Sequence, residues 1–135
     1  MSNPDPGEEH GRTALHAAAG RGDLPEVRKL IASGADPDAT DADGFTPLHL
    51  AAGQFHVSVA AALLEAGADV NRRNRFGNGP LFVAVFNSRG RGEMIKLLRS
   101  SGADPHATNA SGQTPVGLAR LIANYDVAQF FADLG

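Results

Sequence analysis

The fold of this chain is decided by the stretch Asp43-Gly44-Phe45-Thr46-Pro47-Leu48-His49-Leu50-Ala51-Ala52. Asp43-Gly44 predicts a tight turn, because glycine adopts positive φ without a steric cost. Thr46 is a good N-cap, and Pro47 then occupies the first helical position, where its missing N–H costs nothing. The residues that follow predict a short helix, and Gly67 predicts the left-handed end of a second one. A unit of this size buries little by itself, so it requires neighbours.

Related units occur along the whole chain. They begin at Gly11, Gly44, Gly77 and Gly112, with spacings of 33, 33 and 35 residues. A second marker repeats in step, as Gly34-Ala35-Asp36, Gly67-Ala68-Asp69 and Gly102-Ala103-Asp104. The period and the Thr-Pro-Leu-His pattern resemble those of the ankyrin repeat. The resemblance covers about residues 10–135 and implies an all-α solenoid of helix-turn-helix units with short β-hairpin-like fingers.

The chain therefore divides into a segment 1–9, acidic and rich in proline and predicted to be disordered, and one domain, 10–135. The predicted repeats are about 10–40, 41–73, 74–108 and 109–135. The predicted helices are 14–20, 24–33, 47–53, 57–66, 80–86 and 93–101. The last repeat departs from the pattern, as expected for a terminal repeat with one face in solvent.

Repeat three departs most among the internal repeats. Gly79 replaces the capping threonine, and Phe82 replaces the histidine. The connection 87–92 is also two residues longer than its counterparts. Insertions in repeat proteins map to loops on one face, which is often the functional one. The alternative is a loop that is only tolerated, because lengthening a loop costs little entropy.

Composition restricts the classes of function. The 135 residues include no cysteine, which excludes disulfides and thiol chemistry. No apolar run approaches the length of a membrane span, and the amino terminus lacks the features of a signal peptide. We therefore expect a cytoplasmic protein. Arginine exceeds lysine, which indicates a GC-rich bacterial genome.

The sequence offers no catalytic constellation. His16 and His49 share one repeat position, where the resemblance implies a structural role: the imidazole hydrogen-bonds the threonine hydroxyl and the loop backbone. No histidine pair has metal-ligand spacing, and the acidic stretch 36–43 lacks the glycine and terminal glutamate of a calcium loop. Phosphate-binding glycine motifs and a serine nucleophile motif are also missing. We predict no enzyme activity, no cofactor and no metal.

Charge is unevenly distributed along the chain. Residues 1–43 contain nine acids and four bases, whereas residues 71–99 contain seven bases and one acid. One interpretation of the basic third repeat is nucleic-acid binding or catalysis. An acidic protein surface fits better, because the molecule as a whole carries a net charge of −3 and arginine is favoured at protein interfaces.

The resemblance implies that a partner protein binds across the finger tips and the concave surface of the first helices. We predict a monomeric, non-enzymatic scaffold that binds no nucleic acid and no membrane. Its stand-alone solenoid favours, as a narrower hypothesis, an inhibitor or immunity-type protein. The candidate partner-binding residues are Asp43, Phe45, Gln54, Arg72, Arg73, Arg75, Phe76, Asn78, Phe86, Asn87, Arg89, Arg91 and Gln113.

Overall fold

The computed structural model describes residues 10–122 and 125–134. In these residues the chain forms seven α-helices and a terminal 3₁₀ helix, the latter spanning Val127–Leu134 with a kink at Phe131. The six helices predicted from the sequence each begin and end within one residue of the observed bounds. The segment 1–9, predicted to be disordered, lies outside the described residues. The α-helices are α1 Ala14–Arg21, α2 Leu24–Ala32, α3 Pro47–Gln54, α4 Val57–Glu65, α5 Pro80–Phe86, α6 Glu93–Ser100 and α7 Pro115–Leu121.

The helices pack in two rows. The first helices of the repeats form one row, in which α1 contacts α3, α3 contacts α5 and α5 contacts α7. The second helices α2, α4 and α6 form the other row, and the 3₁₀ helix packs on α7. One repeat position supplies a buried side chain from each unit, namely Leu15, Leu48, Leu81 and Val116. The core is therefore a continuous stripe along an all-helical repeat solenoid.

The fingers between repeats are turns, and no strand occurs in residues 10–122 or 125–134. The second finger, around residues 41–45, is closed by a hydrogen bond from Asp41 N to Phe45 O (2.9 Å). The third finger, around residues 74–78, is closed by one from Asn74 N to Asn78 O (3.0 Å). Successive fingers also hydrogen-bond to each other through their backbones. Gly77 has a φ of 77°, and a Cβ there would lie 2.8 Å from Ala110 N. This close approach of the next finger requires glycine.

A Thr–His bridge links repeat two to the third finger. Thr46 Oγ1 accepts from His49 N (3.3 Å), and His49 Nδ1 accepts from Thr46 N (3.1 Å). His49 Nε2 lies 2.8 Å from Asn78 O and must donate, because a carbonyl oxygen only accepts. Thr13 and His16 make the same contacts in repeat one, with Phe45 O as the acceptor. The structural role predicted for both histidines is confirmed.

Burial keeps both of these imidazoles neutral. Desolvation lowers the pKa of His49 to about 4, against an opposing effect of the hydrogen bond to Asn78 O. Desolvation also lowers the pKa of His16. A second proton would sit on Nδ1, which is the atom that accepts from the threonine N–H, so protonation breaks the bridge.

Repeat three lacks this bridge, as the sequence predicted. Gly79 offers no side-chain cap to α5. The longer connection 87–92 packs instead against the terminal repeat: a Cβ on Gly90 would lie 3.1 Å from Tyr125 Cδ1, and one on Gly92 would overlap the Phe130 ring. These two glycines leave room for aromatic side chains of the chain's end.

Candidate protein-interaction surface

Large apolar side chains are exposed on one part of the solenoid. In the described ranges these are Phe76 (47% exposed), Phe86 (69%), Leu121 (71%) and Tyr125 (46%). Phe86 and Leu121 occupy the same repeat position on α5 and α7, which pack side by side. The corresponding residues in the first two repeats are Gly20 and Gly53. The apolar character of this face therefore begins at repeat three.

A groove runs between the second finger and α5. Its volume is about 260 Å³, and we call it the α5 groove. Gly53 of the neighbouring repeat lies against its wall, since a Cβ there would lie 3.2 Å from Val83 Cγ1 and 3.8 Å from Asn87 Nδ2. The groove is lined by Phe45, Asn78, Phe82, Val83, Phe86 and Asn87.

The second and third fingers bring four predicted site residues into contact. The rings of Phe45 and Phe76 meet edge to face with centroids 6.5 Å apart. Arg75 lies over the Phe76 ring, 5.1 Å from its centroid, and its Nη1 is 2.8 Å from Asp43 Oδ1. Phe45 also contacts the ring of His49, so the aromatic pair is anchored on the Thr–His bridge.

Two of the arginine side chains in repeat three make contacts within the protein. Arg73 donates to Thr108 O (3.2 Å), and Arg91 donates to Ser88 O (3.1 Å). Arg91 also stacks on the ring of Phe55, 4.0 Å from its centroid, and thereby connects the long loop to repeat two. These contacts leave the guanidinium charges in place but hold the two side chains against the protein.

The other predicted residues are divided between the groove and the open surface. Asn78 Oδ1 accepts from Asn109 Nδ2 (2.8 Å), and Asn87 Nδ2 donates to Val83 O (2.9 Å). The remaining four, Gln54, Arg72, Arg89 and Gln113, are exposed, and in the described part of the chain their side chains make no hydrogen bond or ion pair.

Sequence reasoning missed two side chains that line the groove, Phe82 and Val83. From the sequence, Phe82 is recognised only as the replacement of a histidine. The available signal was Gly53, because a glycine on a helix face lets a side chain of the next helix, here Val83, come close. That signal becomes useful only once α3 and α5 are known to be neighbours.

The described residues hold no group of three or more His, Asp or Glu side chains that could bind a metal ion. A search of the same residues finds no helix long and apolar enough to cross a membrane.

Fold and surface together define an all-helical repeat protein with an exposed apolar face. A family model described as ankyrin repeats (3 copies) matches residues 1–74, and one described as ankyrin repeats (many copies) matches residues 88–132. This chain belongs to the ankyrin-repeat family. No curated protein matches it significantly.

Ankyrin repeats generally mediate protein–protein interaction and are typically non-enzymatic. Residues 75–87 lie between the two matched segments. This interval contains α5 and five of the six residues that line the α5 groove.

Proposed function

We propose that this chain is a non-enzymatic protein that binds a partner protein through the second and third fingers and the first helices of repeats two to four. The observation that carries the proposal is the exposure of Phe86 and Leu121 at one repeat position on neighbouring helices. Contiguous exposed apolar surface on a soluble protein marks interaction sites. Aromatic residues surrounded by arginine are the composition of an interface core.

Charge supports a partner with an acidic surface. Arg72 and Arg89 are exposed, and neither forms an ion pair within the described residues. Arg75 is paired with Asp43, but both side chains are about half exposed. Such a surface pair contributes only about 0–1 kcal/mol, so Arg75 can exchange its partner at little cost.

Affinity capture from a lysate of the source organism tests the proposal. The bait proteins are the wild type, Phe86→Ala, Phe76→Ala and the control Glu65→Ala, which changes an exposed residue at the end of a second-row helix. We expect one protein to be retained by the wild type and the control. Each aromatic variant should weaken its binding by about 2 kcal/mol, as the loss of a central anchor does.

Charge reversal at Arg75 should mainly slow association, and the effect should grow at low salt. Folding should change by no more than about 0.5 kcal/mol in these variants, since the side chains are exposed. Equal capture by all four baits would place the interface elsewhere.

A narrower hypothesis within this proposal is that the chain blocks an enzyme or a toxin. Activity of the captured partner should then fall when wild-type protein is added and should recover with Phe86→Ala. A partner whose activity is unaffected by saturating wild type would contradict the inhibitory role and leave the binding role intact.

A further inference from the structure

We infer that the α5 groove binds a short linear segment of the partner, in which a bulky apolar residue is flanked on both sides by acidic residues. This inference rests on the proposed function and adds the chemistry of the partner. It is carried by the size of the groove, its unused polar atoms, the charges at its two ends and the identity of residue 45.

The size of the groove suits side chains. Its volume of about 260 Å³ lies just below the roughly 300–1,000 Å³ of pockets for drug-sized ligands. Its walls are formed mainly by Phe45, Phe82, Val83 and Phe86. A space of this size and polarity fits one or two apolar side chains.

Two amide side chains leave a donor and an acceptor at the groove. Asn78 uses Oδ1 to accept from Asn109, and its Nδ2 makes no hydrogen bond with the described residues. Asn87 uses Nδ2 to donate to Val83 O, and its Oδ1 likewise accepts nothing there. One free donor and one free acceptor match the C=O and N–H of a peptide backbone. A linear segment can use both atoms while its side chain fills the groove.

Arginine lies at both ends of this groove. Helix α5 has seven residues and is therefore about 10 Å long, which is about three residues of extended chain. Arg75 stands at the finger end, beside Phe76. Arg89 follows Asn87 closely at the other end and is exposed. Acidic residues on either side of the apolar residue would each meet an arginine.

The identity of residue 45 is a separate indication. The same repeat position is Arg12 in the first unit, where Nε donates to Asp41 Oδ2 (3.2 Å), and Asn78 in the third, where Oδ1 accepts from Asn109. Phe45 offers no acceptor to Asn74, and the Asn74 Nδ2 atom is buried without a partner. A polar residue would satisfy Asn74. An aromatic ring at this position, at a cost to its own finger, is explained by its place on the groove wall.

Selection from a phage-displayed library of random linear peptides, followed by fluorescence anisotropy on synthetic peptides of the enriched sequence, tests this inference. We expect enrichment of a bulky apolar residue with Asp or Glu about three residues away on either side. Binding should be weakened about tenfold or more by Phe86→Ser and by Gly53→Leu, which places a side chain against Val83 and Asn87 of the groove wall.

The matched control is Gly20→Leu. It makes the same change at the equivalent position of repeat one, where a Cβ would make ordinary contacts with Leu50. Peptide affinity should be unchanged in this variant. Arg89→Glu should weaken binding severalfold, and more strongly at low salt. Melting curves establish that each variant is folded. If Gly53→Leu does not fold, Phe86→Ser still tests the inference, because it changes an exposed residue.

Three results would overturn the inference. The first is that no apolar–acidic sequence is enriched, although a lysate protein is still captured through Phe86. The proposed function would then stand, and the partner would bind through a folded surface. The second is an enriched peptide that binds wild type and the Phe86→Ser variant equally. The third is a dimer in light scattering that dissociates in Phe86→Ser, because a second copy would then occupy this face.

Discussion

Repeats two and three share a backbone plan but differ in what their first helices are used for. In repeat two, Thr46 and His49 cap α3 and bridge to the next finger. In repeat three, Gly79 and Phe82 do neither, and a cavity of about 180 Å³ lies between them and the fourth finger. The exposed rings of Phe76 and Phe86 belong to repeat three. Most of the exposed aromatic surface thus lies on the unit without the Thr–His bridge, and Phe45 of repeat two borders it.

Repeat three is held instead by contacts with its neighbours. Arg91 stacks on Phe55 of repeat two. On the other side, Arg99 pairs with Asp133 through both guanidinium nitrogens (2.7 and 2.8 Å) and donates to Phe130 O. The hydrogen bond that Arg99 donates to the Asp133 carboxylate lowers the pKa of Asp133. The terminal 3₁₀ helix therefore fastens the repeat that lacks the Thr–His bridge.

The largest expected difference between the two repeats is the pH dependence that His49 confers. Its pKa is about 4 in the folded protein and about 6.5 when exposed, so the unfolded chain binds the extra proton first as pH falls. The neutral His49 therefore contributes roughly 3 kcal/mol to the free energy of unfolding above pH 6.5, and this contribution is lost as the pH falls towards 4. His16 acts in the same direction.

Urea denaturation at a series of pH values measures this effect. His49→Ala should itself cost roughly 1–3 kcal/mol at neutral pH, because it leaves polar groups of the third finger without a partner. It should also flatten the pH dependence between pH 6.5 and 4. His106→Ala, which removes an exposed histidine outside the bridge, provides the control. An unchanged slope in His49→Ala would contradict the neutral-imidazole bridge.

A second prediction concerns the packing of repeat three against the terminal 3₁₀ helix. Gly92→Ala should destabilise the protein by about 2 kcal/mol, because the added Cβ overlaps the Phe130 ring and overpacking typically costs 1–3 kcal/mol. Thermal and urea unfolding measure the change. Phe130→Leu should recover part of the loss in the double variant. Gly20→Ala is the control, since its Cβ meets only ordinary contacts; a similar loss in both variants would mean that Phe130 is not the cause.

The missing cap of α5 can be restored. Gly79 has φ −86° and ψ 173°, close to the −97° and 166° of Thr46, and a Cβ would lie 3.8 Å from Arg72 O. Glycine is therefore not required there. Gly79→Thr should stabilise the protein by about 0.5 kcal/mol, because glycine is itself an acceptable N-cap, whereas Gly79→Ala, which has no hydroxyl, should destabilise it.

Hydrogen exchange extends this test. In the wild type, amides of residues 79–92 should exchange faster than those of 46–66, because α5 has no side-chain cap. Gly79→Thr should narrow the difference. Equal protection of the two segments in the wild type would show that the neighbouring contacts fully replace the Thr–His bridge.

The sequence was sufficient for the fold because its signals are local. Thr46, Pro47 and Gly67 each act within one turn of a helix, and their recurrence at a fixed period gives the neighbours. The role of His49 was implied by the resemblance to the ankyrin repeat. Arg73 and Arg91 illustrate what could not be predicted, since composition counts a charge but not the carbonyl or ring that it contacts. The α5 groove likewise depends on the distance between two repeats and on a side chain that Gly53 lacks.

The smallest expected effect concerns Phe45, where stability and the candidate surface conflict. Leucine and asparagine have similar shapes, and at this half-buried position apolar transfer alone favours leucine by about 1 kcal/mol. An asparagine, however, supplies the acceptor that Asn74 Nδ2 lacks, as Asn78 does for Asn109. A satisfied hydrogen bond contributes about 1 kcal/mol, so Phe45→Asn and Phe45→Leu should differ in stability by less than about 0.5 kcal/mol. Exchange of the Asn74 side-chain amide protons should slow only in Phe45→Asn. Phe45→Leu could instead be clearly more stable than Phe45→Asn, with the Asn74 side-chain amide protons exchanging at the same rate in both variants. Residue 45 would then not face the unpaired amide, and its aromatic ring would need no functional explanation.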